Sequence, residues 1–404
     1  MAEAVLARRQ KDKRIPVTIL TGFLGSGKTT LLNHILDDPH HKLRFAIIEN
    51  EFGEVGVDEK ILSEKTNEEV IEVINGCICC TVRGDLVVAL NKLHSKIALF
   101  DAVIIETTGL ADPAPVAQTF FIDDDIQSRY VLDGIITVVD SKCILERLDE
   151  DKPEGVENEA VEQVAFADRI LLNKVDLATP LELFAIEERL KKINPTASIL
   201  RCQNSEVDPR QLIGINSFNL DRVLDFDPQF LRTDLEHEHD PSVLSVSCRV
   251  AGFLNVTRLQ EWIGEILKDL GANLYRYKGV LSVAGRMEKF VFQGVGMLFS
   301  GDFRGAWAPG EARESRFVFI GKDLDKQALT EGFLACQCTE DLRFKVGEKV
   351  LALTGAKRSK NGGWTEGVVI ATWDDGNPYR IELGGKEGVN VWGPVDTDEF
   401  VKKA

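Results

Sequence analysis

No apolar run in this chain approaches the about 18 to 20 residues that a membrane-spanning helix needs, so no membrane partner is expected. The opening residues, MAEAVLARRQKDKRIPV, hold no signal-peptide apolar core. With an acid at Glu3 and no serines they also make a poor transit peptide. A cytoplasmic location, cytosolic or nuclear, is the expectation. Positive charge is in deficit: 48 Lys and Arg stand against 65 Asp and Glu, a net charge of −17. Attraction to a phosphate backbone needs a basic face, so nucleic acid is not expected as a partner. Cysteine is sparse, with 8 among 404 residues, too few for a disulfide framework. There are no internal repeats. What is present, 44% hydrophobic and 28% charged residues, is ordinary for a soluble globular protein, and the length predicts two or three domains.

The stretch from Thr21 to Thr30, TGFLGSGKTT, fits G-x-x-x-x-G-K-[ST] between Gly22 and Thr29. A short apolar strand (VTIL) precedes it and a helical run (TLLNHIL) follows. Gly22, Gly25 and Gly27 let backbone amides, those of Ser26 to Thr30 among them, turn toward an anion at a helix N-terminus. Lys28 is placed for the β- and γ-phosphates and Thr29 for Mg²⁺. The chain is thereby expected to bind a nucleoside triphosphate.

From Ile15 to about Ala178, the apolar runs VTIL, FAIIEN, EVIEVI, AVIIET, GIITVVD and RILLNK alternate with helical ones. This predicts an α/β domain with a doubly wound, mostly parallel sheet, over residues 15–220 behind a tail of 1–14. Its ligands belong at the carboxyl ends of the strands. Residues 221–241, acidic and broken by prolines, read as a linker. A small α+β domain is expected over 242–338, with strands at 242–250, 278–283, 289–295 and 316–320 and a helix at 256–270. Residues 341–400 carry short strands between glycine-rich turns, the pattern of a small all-β barrel. Its tryptophans are expected to fill the barrel core, the alternative being a peptide groove for a protein partner. From Asp341 onward acids and bases balance, so the negative excess belongs to the first two domains.

Three further segments carry chemistry. Asn173-Lys174-Val175-Asp176 ends a strand with N-K-x-D, and the Asp176 carboxylate can accept two hydrogen bonds from guanine that adenine cannot offer. Val103 to Gly109 delivers Glu106 and then Gly109 to the same edge. Glu106 suits Mg²⁺ or the attacking water, and the Gly109 amide suits a γ-phosphate. Leu110 stands where Ras-like GTPases carry a water-orienting Gln, so unaided hydrolysis is expected to be slow. Cys77, Cys79 and Cys80 form a C-x-C-C cluster that selects soft transition metals over Mg²⁺, and Glu49 and Glu54 could complete the coordination. Two weaker candidates are His237 with His239, and Cys336 with Cys338.

Together GFLGSGKTT, ENEFGE, GCICC, ETTGLADP and NKVD closely resemble the CobW-like P-loop GTPases, which include zinc metallochaperones. The likeness continues through RYKG, VFQGV and VFIG and spans roughly residues 15 to 336. It implies a GTPase domain, a CobW C-terminal domain and a metal site at Cys77, Cys79 and Cys80 with Glu49 and Glu54 as auxiliary ligands. GTP, Mg²⁺ and Zn²⁺ (Co²⁺ possible) are the implied ligands, with metal delivery to a client metalloprotein. Two departures bear on this. The linker has only His237 and His239 in place of a long His-rich segment, and residues 1–15 lack the Cys-Pro-Glu-Leu-type peptide that docks methionine aminopeptidase. The final residues look like an SH3-like barrel outside the family core. The rival expectation is a nucleotide-gated interaction protein with structural cysteines and a partner-recruiting barrel.

Overall fold

The structure is a computed structural model that describes residues 12–38, 43–49, 82–96, 99–152, 158–223, 243–271, 273–355, 363–384 and 388–404. Cys77, Cys79, Cys80, Glu54, the EVIEVI run, His237, His239 and most of the expected linker lie outside the described residues. Among the described residues, no helix is long and apolar enough to cross a membrane. The chain divides into two compact units, one formed chiefly by the residues up to Arg222 and the other chiefly by those from Val246 on, with the first residues of the strand Val243–Ala251 and Ile320–Lys322 grouping with the first unit.

The first unit runs β1 (Ile15–Thr21), α1 (Lys28–Asp37), β2 (Phe45–Glu49), α2 (Val82–His94), β3 (Ala102–Glu106), α3 (Ala114–Ile122), α4 (Asp124–Arg129), β4 (Tyr130–Asp140), α5 (Ile144–Leu148), α6 (Glu159–Phe166), β5 (Arg169–Asn173), α7 (Pro180–Ile193) and β6 (Ser198–Arg201). The strands form one sheet in the order β2-β3-β1-β4-β5-β6, and every pairing is parallel. Nearly every side chain of β1, β3 and β4 is buried, as expected of strands covered on both faces. Leu31, Leu32, Ile35 and Leu36 of α1 join Ile47, Ile104, Ile136, Val138 and Leu171 in one core cluster. Each such side chain contributes about 1.5–3 kcal/mol of burial free energy.

Strand β4 is longer than the GIITVVD run because Tyr130 to Leu132 pair with Ile15 to Val17 ahead of an irregularity at Val17/Thr18. Within that extension Asp133 is fully buried and accepts backbone hydrogen bonds from Gly214 (2.7 Å), Ile215 (3.1 Å) and Asn216 (2.9 Å). The clamp seats Ile213 and Ile215 in the α1 cluster. Asp133→Ala would leave buried amides unpaired, and we expect a loss of about 3 kcal/mol or more in urea unfolding of this unit. A loss below 1 kcal/mol would contradict that role.

The second unit opens with β7 (Val243–Ala251), β8 (Phe253–Leu254), α8 (Val256–Leu270), β9 (Leu274–Ser282), β10 (Glu288–Val295), β11 (Leu298–Ala306), β12 (Glu314–Lys322), α9 (Lys326–Ala335) and β13 (Gln337–Cys338). Its five-stranded sheet has the order β11-β10-β9-β12-β7. Trp262 of α8 sits among Phe317, Phe319 and Phe333, with ring centroids 5.3–5.9 Å apart. A side chain at Gly332 would strike the Trp262 ring at 2.5 Å, so glycine lets α9 close on it. The strand β11 escaped the sequence reading because it is an exposed edge strand without the alternation that marks a half-buried one.

The remaining strands, β14 (Lys349–Leu353), β15 (Trp364–Asp374), β16 (Asn377–Leu383), β17 (Asn390–Gly393) and β18 (Val401–Lys403), form an antiparallel sheet in the order β17-β16-β15-β14-β18. Here the expectation for the tryptophans is corrected. The core is Val350, Ala352, Val369, Tyr379, Ile381 and Val401. Trp364 and Trp373 are only partly buried, and Trp392 is 40% exposed. Register explains it: Tyr379 and Ile381 point inward, which turns Arg380 and its cross-strand neighbour Trp392 outward. The outward rings carry cations instead, Lys402 over Trp364 at 4.1 Å and Arg380 over Trp392 at 5.0 Å. This sheet is tied to the α+β layer of the same unit by Asn255 Nδ2 donating to Pro394 O (2.8 Å) and Trp373 Nε1 donating to Glu340 O (2.9 Å).

Candidate nucleotide site

The loop between β1 and α1 turns on three glycines with positive φ: Gly22 at 140°, Gly25 at 77° and Gly27 at 110°. Two of them are also steric necessities. A Cβ at Gly22 would lie 2.2 Å from Val138 O, and one at Gly27 would lie 2.5 Å from Asn173 Nδ2. The helix that follows has no acid in its first turn and no side-chain cap, so its N-terminal amides are left for an anion. Ser26 Oγ is buried and, among the described residues, has no hydrogen-bond partner. Lys28 is 7% exposed and curls over the loop, donating to Gly22 O (2.7 Å) and Phe23 O (3.2 Å). The loop thus presents amides, an unsatisfied hydroxyl and an ammonium in one place, which fits a polyphosphate.

In the first turn of α1, Thr29 Oγ1 donates to Glu106 Oε1 (3.2 Å) at the end of β3. Residues 77 positions apart, both expected at Mg²⁺, therefore meet. A hydroxyl and a carboxylate are hard oxygen donors of the kind Mg²⁺ takes, so the residues fit the ion. Thr30 is exposed on the first turn of α1. Glu49, itself an expected metal ligand, ends β2 in register with Glu106. The expected ligands Glu54, Cys77, Cys79 and Cys80 cannot be placed against it, lying outside the described residues.

Strand β5 delivers the N-K-x-D segment to the same edge. Asn173 is 2% exposed and its side chain is committed to the scaffold: Nδ2 donates to Ser26 O and Ser205 Oγ (2.9 Å each), and Oδ1 accepts from Ser205 N (2.9 Å). Burial pushes the Cys202 thiol up to about 11, so it stays protonated and donates to Asn173 Oδ1 at 3.5 Å. Asn173 therefore braces the phosphate loop. Lys174, left-handed at φ 59°, reaches back to Gly25 O (2.8 Å) and pairs with Asp140 Oδ2 (2.7 Å). Asp176 stands exposed on a 3₁₀ turn, Val175–Leu177.

Two participants were missed by sequence reasoning. Ser205 follows β6 and donates to Gly27 O (2.9 Å), joining Asn173 in holding the loop. Its signal was position alone, since every strand end of a parallel sheet reaches this edge. Asp140 ends β4 inside the GIITVVD run, where it read as a strand terminus. Cys336, by contrast, lies in the aromatic cluster with its thiol donating to Gly332 O (3.3 Å). Burial holds its pKa at about 12 and that of Cys338 at about 11, which disfavours the thiolates a metal needs.

Comparison with known proteins agrees with this geometry. Residues 16–201 match the family described as "CobW/HypB/UreG, nucleotide-binding domain", and residues 243–337 match "Cobalamin synthesis protein cobW C-terminal domain". The chain is 37% identical over 325 residues to the zinc chaperone YjiA of Escherichia coli K12, covering 79% of this chain and 98% of that protein. It is 32% identical to the zinc chaperone CobW of Pseudomonas aeruginosa, over 78% of this chain and 90% of that one. The crystal structure of Zn(II)-bound YjiA GTPase from E. coli superposes with a TM-score of 0.64 at 31% identity, covering 80% of this chain and 99% of that one. The strand ends that gather Lys28, Glu106 and Asn173 thus sit in a fold and a sequence shared along most of the chain, which belongs to the CobW/HypB/UreG family.

Proposed function

We propose that the chain is a GTPase that carries a transition metal, most readily Zn²⁺, on its Cys77, Cys79 and Cys80 loop and couples nucleotide state to metal transfer to a client metalloprotein. The observation that carries this reading is the adjacency of β2 and β3. Thr29 and Glu106 meet at 3.2 Å beside the phosphate loop, and Glu49 ends the neighbouring strand in register. Lys28 and the loop amides bind the phosphates, Thr29 and Glu106 hold Mg²⁺, and Asp176 reads guanine. Mg²⁺, when bound, supplies charge neutralisation on the β- and γ-oxygens. The zinc-chaperone names of the relatives support the choice of cargo. A thiolate site holds Zn²⁺ more tightly than Co²⁺, so availability sets occupancy among the metals that fit.

Glu49 is a candidate metal ligand in register with Glu106, so a γ-phosphate beside Glu106 is expected to be felt at the metal. GTP and metal then change each other's affinity by one factor, typically about 5- to 150-fold, and we expect an increase. Titrating the full-length chain with Zn²⁺, in GDP and in a non-hydrolysable GTP analogue, tests both halves. Stoichiometric binding that tightens with the analogue and vanishes in a Cys79→Ser/Cys80→Ser variant is expected. Equal affinities would remove the coupling, and no Zn²⁺ binding in either state would remove the chaperone. The second outcome would favour a nucleotide-gated interaction protein, a reading supported by the outward tryptophans of the C-terminal sheet.

A further inference from the structure

The segment leaving β3, Thr107 to Pro113, is held on two sides. On one side Gly109 rests on the phosphate loop so closely that a Cβ there would lie 2.5 Å from Leu24 N and 2.9 Å from Leu24 Cα. On the other side stands Gln163 of α6, 2% exposed. Its Nε2 donates to Gly109 O (3.1 Å) and to Ala111 O (3.3 Å). Gln163 is anchored in turn, because its own carbonyl accepts from Thr137 Oγ1 (2.7 Å), and Thr137 pairs in register with Thr21, the last residue of β1. The segment's own turn, Ala111 N donating to Thr108 O (3.2 Å), fixes its curvature but not its distance from the phosphate loop. Gln163 reaches across from α6 to do that.

We infer that Gln163 is a positioning residue for γ-phosphate recognition. By drawing the Gly109 and Ala111 carbonyls toward α6, it keeps the Gly109–Leu110 peptide from turning and holds the Gly109 amide against Leu24, where a third phosphate arrives. GDP ends one phosphate short and does not call on that amide. Removing the two donors therefore penalises the triphosphate selectively, whereas a purely structural glutamine would weaken both nucleotides alike or neither.

This inference rests on the GTP reading, and the test separates the two. Affinities for GDP and for a non-hydrolysable GTP analogue are measured with Mg²⁺ on the full-length chain. Gln163→Met keeps the side chain's length without its donors, and we expect the analogue-to-GDP affinity ratio to fall by about tenfold. Gln163→Asn keeps the amide but withdraws it by one methylene. It should lower the ratio similarly, so the question stays open to measurement if the Met variant does not fold. Thr137→Val removes one anchor of Gln163 but leaves both side-chain donors in place, so it should lower the ratio by less than either Gln163 variant. An unchanged ratio in both Gln163 variants, or an equal fall in Thr137→Val, overturns the inference while the GTP reading stands. A wild-type chain that binds neither guanine nucleotide removes the GTP reading and this inference with it.

Discussion

Replacing Asp176 with Asn should weaken GTP binding by about thirty- to a thousand-fold, the equivalent of about 2 to 4 kcal/mol, while narrowing the gap between GTP and ATP. Two features favour so large an effect. Asp176 is exposed at the sheet edge, with no hydrogen-bond or ion-pair partner among the described residues, so its carboxylate is not spent on the scaffold. Lys174 is pinned between Gly25 O and Asp140, which fixes the backbone from which the 3₁₀ turn starts. A carboxylate so placed accepts from guanine N1–H and N2–H together. An asparagine accepts one and sets its own N–H₂ against the other donor. The same logic predicts that xanthosine triphosphate, whose base has an oxygen where guanine has N2–H₂, gains on the variant. Competition binding with GTP, ATP and xanthosine triphosphate reads all three effects. A wild-type chain that binds ATP as well as GTP would refute the assignment of Asp176.

How much of this was legible in the sequence depended on whether a residue's role is set by local pattern or by tertiary approach. The glycines announced the phosphate loop because only they take its positive φ angles, and Thr29 and Glu106 were both expected at Mg²⁺ before the fold put them 3.2 Å apart. The strand ends were legible because buried parallel strands read as continuous apolar runs. Asn173 shows the limit. Its motif was recognised as a nucleotide determinant, yet its side chain is used on Ser26 and Ser205, and no periodicity tells that a loop after β6 will come to meet it. Gln163 is harder still, being one of three polar residues in a short helix, with partners more than 50 positions away. In the C-terminal sheet the strands were visible, but which alternate face turned inward was not. Choosing the bulkiest rings for the core failed because Tyr379 and small aliphatic residues already fill it.

Lys28→Ala should carry the other large effect, lowering GTP turnover by about a thousandfold. The ammonium is held by Gly22 O and Phe23 O and the side chain is almost fully buried, so it is already oriented inside the loop. A triphosphate replaces those carbonyls with oxygens that bear far more charge, and most of all while the β–γ bond is breaking. Stabilisation that grows with developing charge raises kcat rather than merely tightening binding. Lys28→Arg would not be a conservative test, since a planar fork does not fit a space bounded by two carbonyls less than 3.5 Å from the ammonium. With Leu110 in place of a water-orienting glutamine the wild-type rate is itself expected to be slow, so single-turnover assays over hours are the suitable measurement. A thermal shift in saturating GTP provides the companion reading. Wild type should gain stability as RT ln(1 + [L]/Kd), and Lys28→Ala should lose most of that gain while unfolding near the wild-type temperature without nucleotide. A variant that turns over GTP within tenfold of wild type would show that the ammonium is a scaffold for the loop and not part of its chemistry.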